Sequence, residues 1–205
     1  MNIAVFASGG GTDFQSIIDG VESGLINAKI NMLVASKPGI YAIERAKQHG
    51  IDSYVFCKKE YGSGEEMFDK IIELLKKKQT DLIVLAGYLT ILSPNIVEAF
   101  AGRIINIHPS LLPKFGGVGM YGMKVHEAVI AAGETESGCT VHFVDTGADT
   151  GKIIAQAKVK IDGDTPESLQ KKVLEEEHKL LPQVVAKLVQ GANLPACESK
   201  FETAN

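Results

Sequence analysis

The apolar positions of this 205-residue chain change period repeatedly, and each change marks the edge of an element. Residues 2–8 (NIAVFAS) form a short apolar run that reads as a buried strand, and residues 13–24 return to helical spacing. A strand over 28–36, a helix over 41–50 closed by Gly50, and a strand over 52–56 follow. Over 65–78, Met67, Phe68, Ile71, Ile72, Leu74 and Leu75 make one broad stripe, with lysines at the carboxyl end where the helix dipole favours them. Residues 81–87 (DLIVLAG) are too apolar to have a wet face, residues 94–102 read as a helix and 103–108 as the next strand.

Strands and helices taking turns predict an α/β fold, because parallel neighbours need crossover connections. The expected architecture is a single Rossmann-like domain over residues 1–190, a mostly parallel twisted sheet with helices on both faces. After Pro113 the pattern breaks: residues 114–123 hold four glycines in ten and read as a mobile loop, and 124–133 as a helix. Residues 139–145 and 152–161 are strands close enough to pair as an antiparallel edge. Thr165, Pro166 and Glu167 then open a long helix as cap, proline and acid. Residues 191–205 read as a polar tail.

Composition narrows the classes of function. Hydrophobic residues make up 45% and charged residues 22% of the chain, the profile of an ordinary soluble protein, and a net charge of -4 gives no field to recruit nucleic acid. No apolar run is long enough for a membrane span, and no basic segment followed by an apolar one suggests a signal peptide. Cys57, Cys139 and Cys197 lie far apart with no Cys-x-x-Cys, so a reducing cytoplasm is expected, without disulfides or a zinc knuckle.

The stretch Arg103–Pro113 (RIINIHPSLLP) raises the first question of chemistry. Side chains in a strand alternate faces, so Asn106 and His108 share one face and Ile105 and Ile107 the other. Pro109 stops the strand at His108, which places two polar groups at a carboxyl end, where open parallel sheets bind ligands. A second candidate is Ser8–Gln15 (SGGGTDFQ), a glycine-rich turn at a helix amino terminus that suits an anion. Phe14 stands where a dinucleotide fingerprint needs its third glycine, and no ribose-binding acid ends the second strand, so a phosphate monoester is expected rather than NAD. A tight turn without any ligand is the plain alternative.

In the loop between the late strands, either Asp145 or Asp149 could reach back to His108, fixing its ring and raising its pKa. His142 alternates with Val141 and Phe143 and reads as a hydrogen-bonded strand histidine, while His49 and His126 read as helix-surface residues. No histidine pairs with another or with cysteine at ligand spacing, so no metal is expected.

Asn106-Ile-His108-Pro109-Ser110-Leu111-Leu112-Pro113, followed by Gly138-x-Thr140-Val-His142 and by Asp149-x-Gly151, resembles the 10-formyltetrahydrofolate-dependent formyltransferase family. The glycine-rich turn, residues 85–94 (LAGYLTILSP) and Glu177-His178 narrow the resemblance to the branch that formylates glycinamide ribonucleotide in purine synthesis. It implies a donor, 10-formyltetrahydrofolate, whose formyl carbon is attacked directly by the amine of the ribonucleotide, with no metal and no covalent enzyme intermediate. It further implies that Asn106 and protonated His108 stabilise the oxyanion while Asp149 keeps His108 charged and helps relay a proton.

By the same carry-over, Gly10, Gly11, Thr12, Asp13 and Glu177 hold the ribonucleotide, and Gly64, Leu89, Thr90, Ile91, Leu92 and Asn106 hold the folate. Asp13 stands where the family commonly has Asn, and Thr90 and the region of Gly64 stand where it often has basic residues. The partners implied are small molecules, with the protein a cytoplasmic monomer or homodimer that binds neither nucleic acid nor membrane. Branches acting on methionyl-tRNA carry a further carboxyl-terminal domain and a basic surface, and the deformylase branch an amino-terminal regulatory domain; neither is expected here. A nucleotide-binding module without chemistry would explain the glycine turn and the sheet, and would leave Asn106, His108 and Asp149 as coincidence.

Overall fold

In the computed structural model, which describes residues 1–191, seven strands form one sheet in the order β3-β2-β1-β4-β5-β6-β7. They are β1 (Asn2–Ala7), β2 (Lys29–Ala35), β3 (Ser53–Val55), β4 (Leu82–Leu85), β5 (Ile104–His108), β6 (Glu136–Phe143) and β7 (Ile153–Lys160). The first five pair in parallel, and β6 and β7 turn back as an antiparallel edge. The expected α/β architecture is therefore the observed one. Residues 192–205, which include Cys197 and nearly all of the expected tail, lie outside the described residues.

Alternation within the strands divides the core between two faces. Ile3, Val5, Leu33, Val84 and Ile105 pack against α1 (Thr12–Glu22), α2 (Tyr41–Gln48), α5 (Met123–Ala131) and α6 (Pro166–Val189). Ala4, Phe6, Val34, Ile83 and Leu85 pack against α3 (Gly64–Lys77) and α4 (Pro94–Ala99). The lysine-ended stripe lies as read, with Met67, Phe68, Ile71, Ile72 and Leu75 buried on α3 and Leu74 only partly covered.

The order in which strands are added reverses at β1, with β2 on one side of it and β4 on the other. The crevice at such a switch opens beyond the strand ends. Ser8 fixes it: its Oγ accepts from the Leu89 amide (2.9 Å) and from Ser36 Oγ (2.8 Å), and its own amide donates to Gly87 O (3.1 Å). The ends of β1, β2 and β4 are thereby tied at one point, and the segment after β4 is held beside the first glycine turn.

Several boundaries differ from the sequence expectation. β4 stops at Leu85, two residues early, because Gly87 turns the chain with φ 69°. β6 starts at Glu136 rather than 139; Gly138 lies so close to β7 that a Cβ there would sit 1.9 Å from Ala157 O, so only glycine carries the ladder through. The glycine-rich segment after Pro113, expected to be mobile, is tethered at both Phe115 and Gly117 to side chains of the sheet end.

His126 is a correction to the surface reading. It is 2% exposed, because α5 is walled by the sheet on one side and α6 beside it, so the buried stripe of Val125 and Val129 extends to include it. His49 is also partly covered, joining the end of α2 to α1 through Glu22 Oε1 (2.6 Å) and Gln15 (3.3 Å).

Candidate active site

β5 carries Asn106 and His108 into the end of a cavity of about 700 Å³. Antiparallel pairing sets His142 of β6 directly opposite Asn106 and Thr140 opposite His108. Asn106 Nδ2 lies 3.1 Å from His142 Nε2, and His142 Nδ1 donates to its neighbour's carbonyl, Phe143 O, at 2.8 Å. That assignment leaves His142 Nε2 as the acceptor for the Asn106 amide.

Of the two candidate aspartates, Asp149 reaches the histidines. Its Oδ2 lies 3.5 Å from His108 Nδ1 and accepts from the Gly117 amide at 2.9 Å, and its Oδ1 lies 3.6 Å from His142 Nε2. Its left-handed backbone, φ 57°, turns the carboxylate inward, a conformation that Asp and Asn tolerate better than most residues. Asp145 is instead a turn residue, accepting from Gly147 N (3.0 Å) and Thr150 Oγ1 (2.6 Å).

Charge at this corner is a contest between burial and pairing. Burial raises the Asp149 pKa, yet the neighbouring His142 and His108 and a hydrogen bond from the Gly117 amide together hold it below the ordinary carboxylate value. For His108 the balance falls the other way. Its burial pushes the imidazole pKa down more than Asp149 and the Phe115 carbonyl raise it, with His142 lowering it further. In the free site Asp149 is thus ionised and His108 titrates below its usual 6.5. The expectation of a histidine kept charged by Asp149 meets an opposing desolvation larger than the pairing. His108 Nε2 donates to Phe115 O at 2.8 Å, so one ring nitrogen faces a carbonyl and the other a carboxylate.

A buried polar cluster holds the turn after β5. Thr140 Oγ1 donates to Ser110 O (2.6 Å) and accepts from Leu112 N (3.1 Å) and Gln156 Nε2 (2.8 Å), while Gln156 also donates to Leu112 O (3.0 Å). Thr140→Val would leave a buried amide and carbonyl without partners and is expected to cost roughly 2 kcal/mol, read as a lower urea midpoint at unchanged slope.

The opposite wall comes from distant parts of the chain. Leu89, Thr90, Ile91 and Leu92 line the cavity after β4, and Thr12, Asp13 and Glu177 line it where α1 meets α6. Gly10 and Gly11 lie in the turn before α1 and not in the wall. Gly11 has φ 69°, and a Cβ there would meet Ala42 Cβ at 2.8 Å, so glycine is required for α1 to start this close to α2. Gly64 opens α3 and does not line the cavity.

Sequence reasoning missed two histidines of this cavity. His142 is the strand residue that the alternation predicts, but it also bonds Asn106 and faces Asp149. His126 lines the cavity with Nδ1 buried and unpartnered, and burial, with His108 nearby, pushes its pKa down to about 4. The alternation of Thr140 and His142 was the available signal for the first; for the second there was none.

Residues 1–185 match the formyl transferase family model. The chain belongs to the formyl transferase family. It is 44% identical over 190 residues to a phosphoribosylglycinamide formyltransferase of Haemophilus influenzae, covering 92% of this chain and 87% of that protein. It is 46% identical over 186 residues to the chloroplastic phosphoribosylglycinamide formyltransferase of Arabidopsis thaliana, covering 89% of this chain and spanning 63% of that protein's length. The crystal structure of phosphoribosylglycinamide formyltransferase from Bacillus halodurans superposes with a TM-score of 0.88 at 40% identity, covering 94% of this chain and 97% of that one.

Proposed function

We propose that the protein transfers the formyl group of 10-formyltetrahydrofolate to the amine of glycinamide ribonucleotide, a step of de novo purine synthesis. The observation that carries this reading is the convergence of Asn106, His108 and Asp149 at one end of a cavity whose far wall is the start of α1. The amine attacks the formyl carbon, and negative charge grows on the carbonyl oxygen. Asn106 and the His108 imidazolium donate to that oxygen, His108 by turning its Nε2–H away from the Phe115 carbonyl, and the second bond is the stronger because it is charge-assisted.

Asp149 favours the imidazolium against burial, and its ionised state lets it take part in moving a proton from the attacking amine toward the leaving folate nitrogen. Thr12, Asp13 and Glu177, with the turn at Gly10 and Gly11, take the ribonucleotide, and Leu89–Leu92 take the pterin. Gly64 has no part in this reading, since it opens α3 away from the cavity. The protein would act in the cytoplasm on these small molecules, as a monomer or homodimer and without a metal. Among the described residues no three His, Cys, Asp or Glu side chains gather as ligands, and no helix is long and apolar enough to cross a membrane.

The test mixes the protein with 10-formyl-dideazafolate and follows the absorbance of the deformylated product. Product that forms only when glycinamide ribonucleotide is added is the expected result. Product without any acceptor would make the protein a deformylase, and no product in either case would leave only a binding module.

A further inference from the structure

At the meeting of α1 and α6, Asp13 and the buried Glu177 line one wall of the cavity, where a phosphate ester is to bind. Asp13 stands in the first turn of α1, whose earliest intrahelical bond runs from Gln15 N to Gly11 O. The amides of Thr12, Asp13 and Phe14 therefore have no helical acceptor and, with no side-chain cap on the helix, are free for an anion. Asp13 Oδ1 is buried with no hydrogen-bond partner, and so is His178 Nε2, 3.8 Å away. Glu177, the residue before His178, is 7% exposed and lines the same wall.

We propose that ribonucleotide binding is linked to proton uptake by the Asp13–Glu177 pair, which holds one proton in the free site and gains a second from solvent as the phosphate settles on the first turn of α1. This rests on the formyl-transfer reading of the site. An ionised Asp13 would oppose the phosphate and cancel part of the attraction of the helix end. A protonated one removes the opposition and offers an O–H donor. On this shared wall the charge of Asp13 opposes a second charge on the buried Glu177, which sets the first proton on the pair.

The surrounding groups leave the pair as the one that responds. Burial raises the Asp13 pKa to about 6. Burial, then the charge of Asp13, raises that of Glu177 well above the ordinary range. On α6, burial and the Arg45 guanidinium lower the His178 pKa, against a smaller opposite effect of Asp19 on α1, so the imidazole is neutral and brings no compensating charge. Arg45 of α2 is itself engaged with Gly10 O (2.8 Å) and Gln15 Oε1 (2.9 Å). From β6, Cys139 is held protonated, its pKa raised to about 12 by burial and then by Glu177, with Glu176 of α6 and Asp13 adding to the rise.

Calorimetric titration of the free protein with glycinamide ribonucleotide, in buffers of different ionisation enthalpy at about pH 8, reads the proton directly. The phosphate is then fully ionised, its second pKa being ~6. The expected result is uptake of roughly one proton, with affinity weakening by up to about tenfold per unit of rising pH. In Asp13→Asn the uptake should vanish and the pH dependence flatten. Binding with no uptake, or an unchanged profile in Asp13→Asn, overturns the proposal while leaving the formyl-transfer reading intact; no binding at any pH would instead sink the assignment of the ribonucleotide.

Melting curves of the free proteins supply a second arm. A carboxyl whose pKa is raised on folding lowers stability as pH climbs from the unfolded value through the folded one. Asp13→Asn should therefore gain stability over the parent at pH 8 more than at pH 5, and an equal difference at both would also overturn the proposal.

Discussion

Replacing His108 by alanine is expected to lower kcat by about a hundred- to a thousandfold, the loss typical of one donor to a developing oxyanion. The fold should survive. The turn after β5 is held by Thr140, Ser110 and Gln156 without help from the imidazole, and Ser110 Oγ already lies 2.7 Å from Lys114 O and 3.4 Å from Phe115 O. A circular dichroism melt beside the steady-state assay separates the two outcomes. Turnover within tenfold of the parent would remove His108 from the reaction.

Asp149→Asn should be nearly as damaging, by about a hundredfold in kcat, and it isolates charge from shape. Asparagine tolerates the left-handed backbone at this position, and its carbonyl oxygen can still accept the Gly117 amide. What disappears is the negative charge 3.5 Å from His108 Nδ1. That charge raises the imidazole pKa against burial, so its removal should move the His108 titration further below its present position, itself under 6.5. The ring proton shift of His108, followed by NMR across pH, checks the sign: an unchanged or raised titration would mean that Asp149 acts by position alone.

Legibility from sequence followed the range of the interactions. The alternation of Ile105 and Ile107 with Asn106 and His108 was visible because strand geometry is local, and the parallel sheet because each crossover leaves its own periodic helix. The antiparallel edge was visible from the short connection between its strands. The choice of Asp149 over Asp145 came from the family resemblance and not from the local pattern, since it depends on a positive φ at one position and an Asx turn at the other. His126 was misplaced because a helical stripe shows which side is apolar, not how wide a neighbouring helix and a cavity wall make the covered arc. Gly64 is set beside the folate by the family resemblance alone; it opens α3 behind a Ser63 cap and does not line the cavity.

The wall formed by α1 and α6 joins the two ends of the described chain. Asn106, His108, His142 and Asp149 lie within one later stretch, whereas Asp13 and Glu177 are separated by nearly the whole sequence. Closing so long a loop has the larger entropic cost and waits until α6 has been synthesised. A chain emerging from the ribosome would therefore set its reacting side chains in register while the ribonucleotide wall is still open, and become able to hold substrate only when α6 docks.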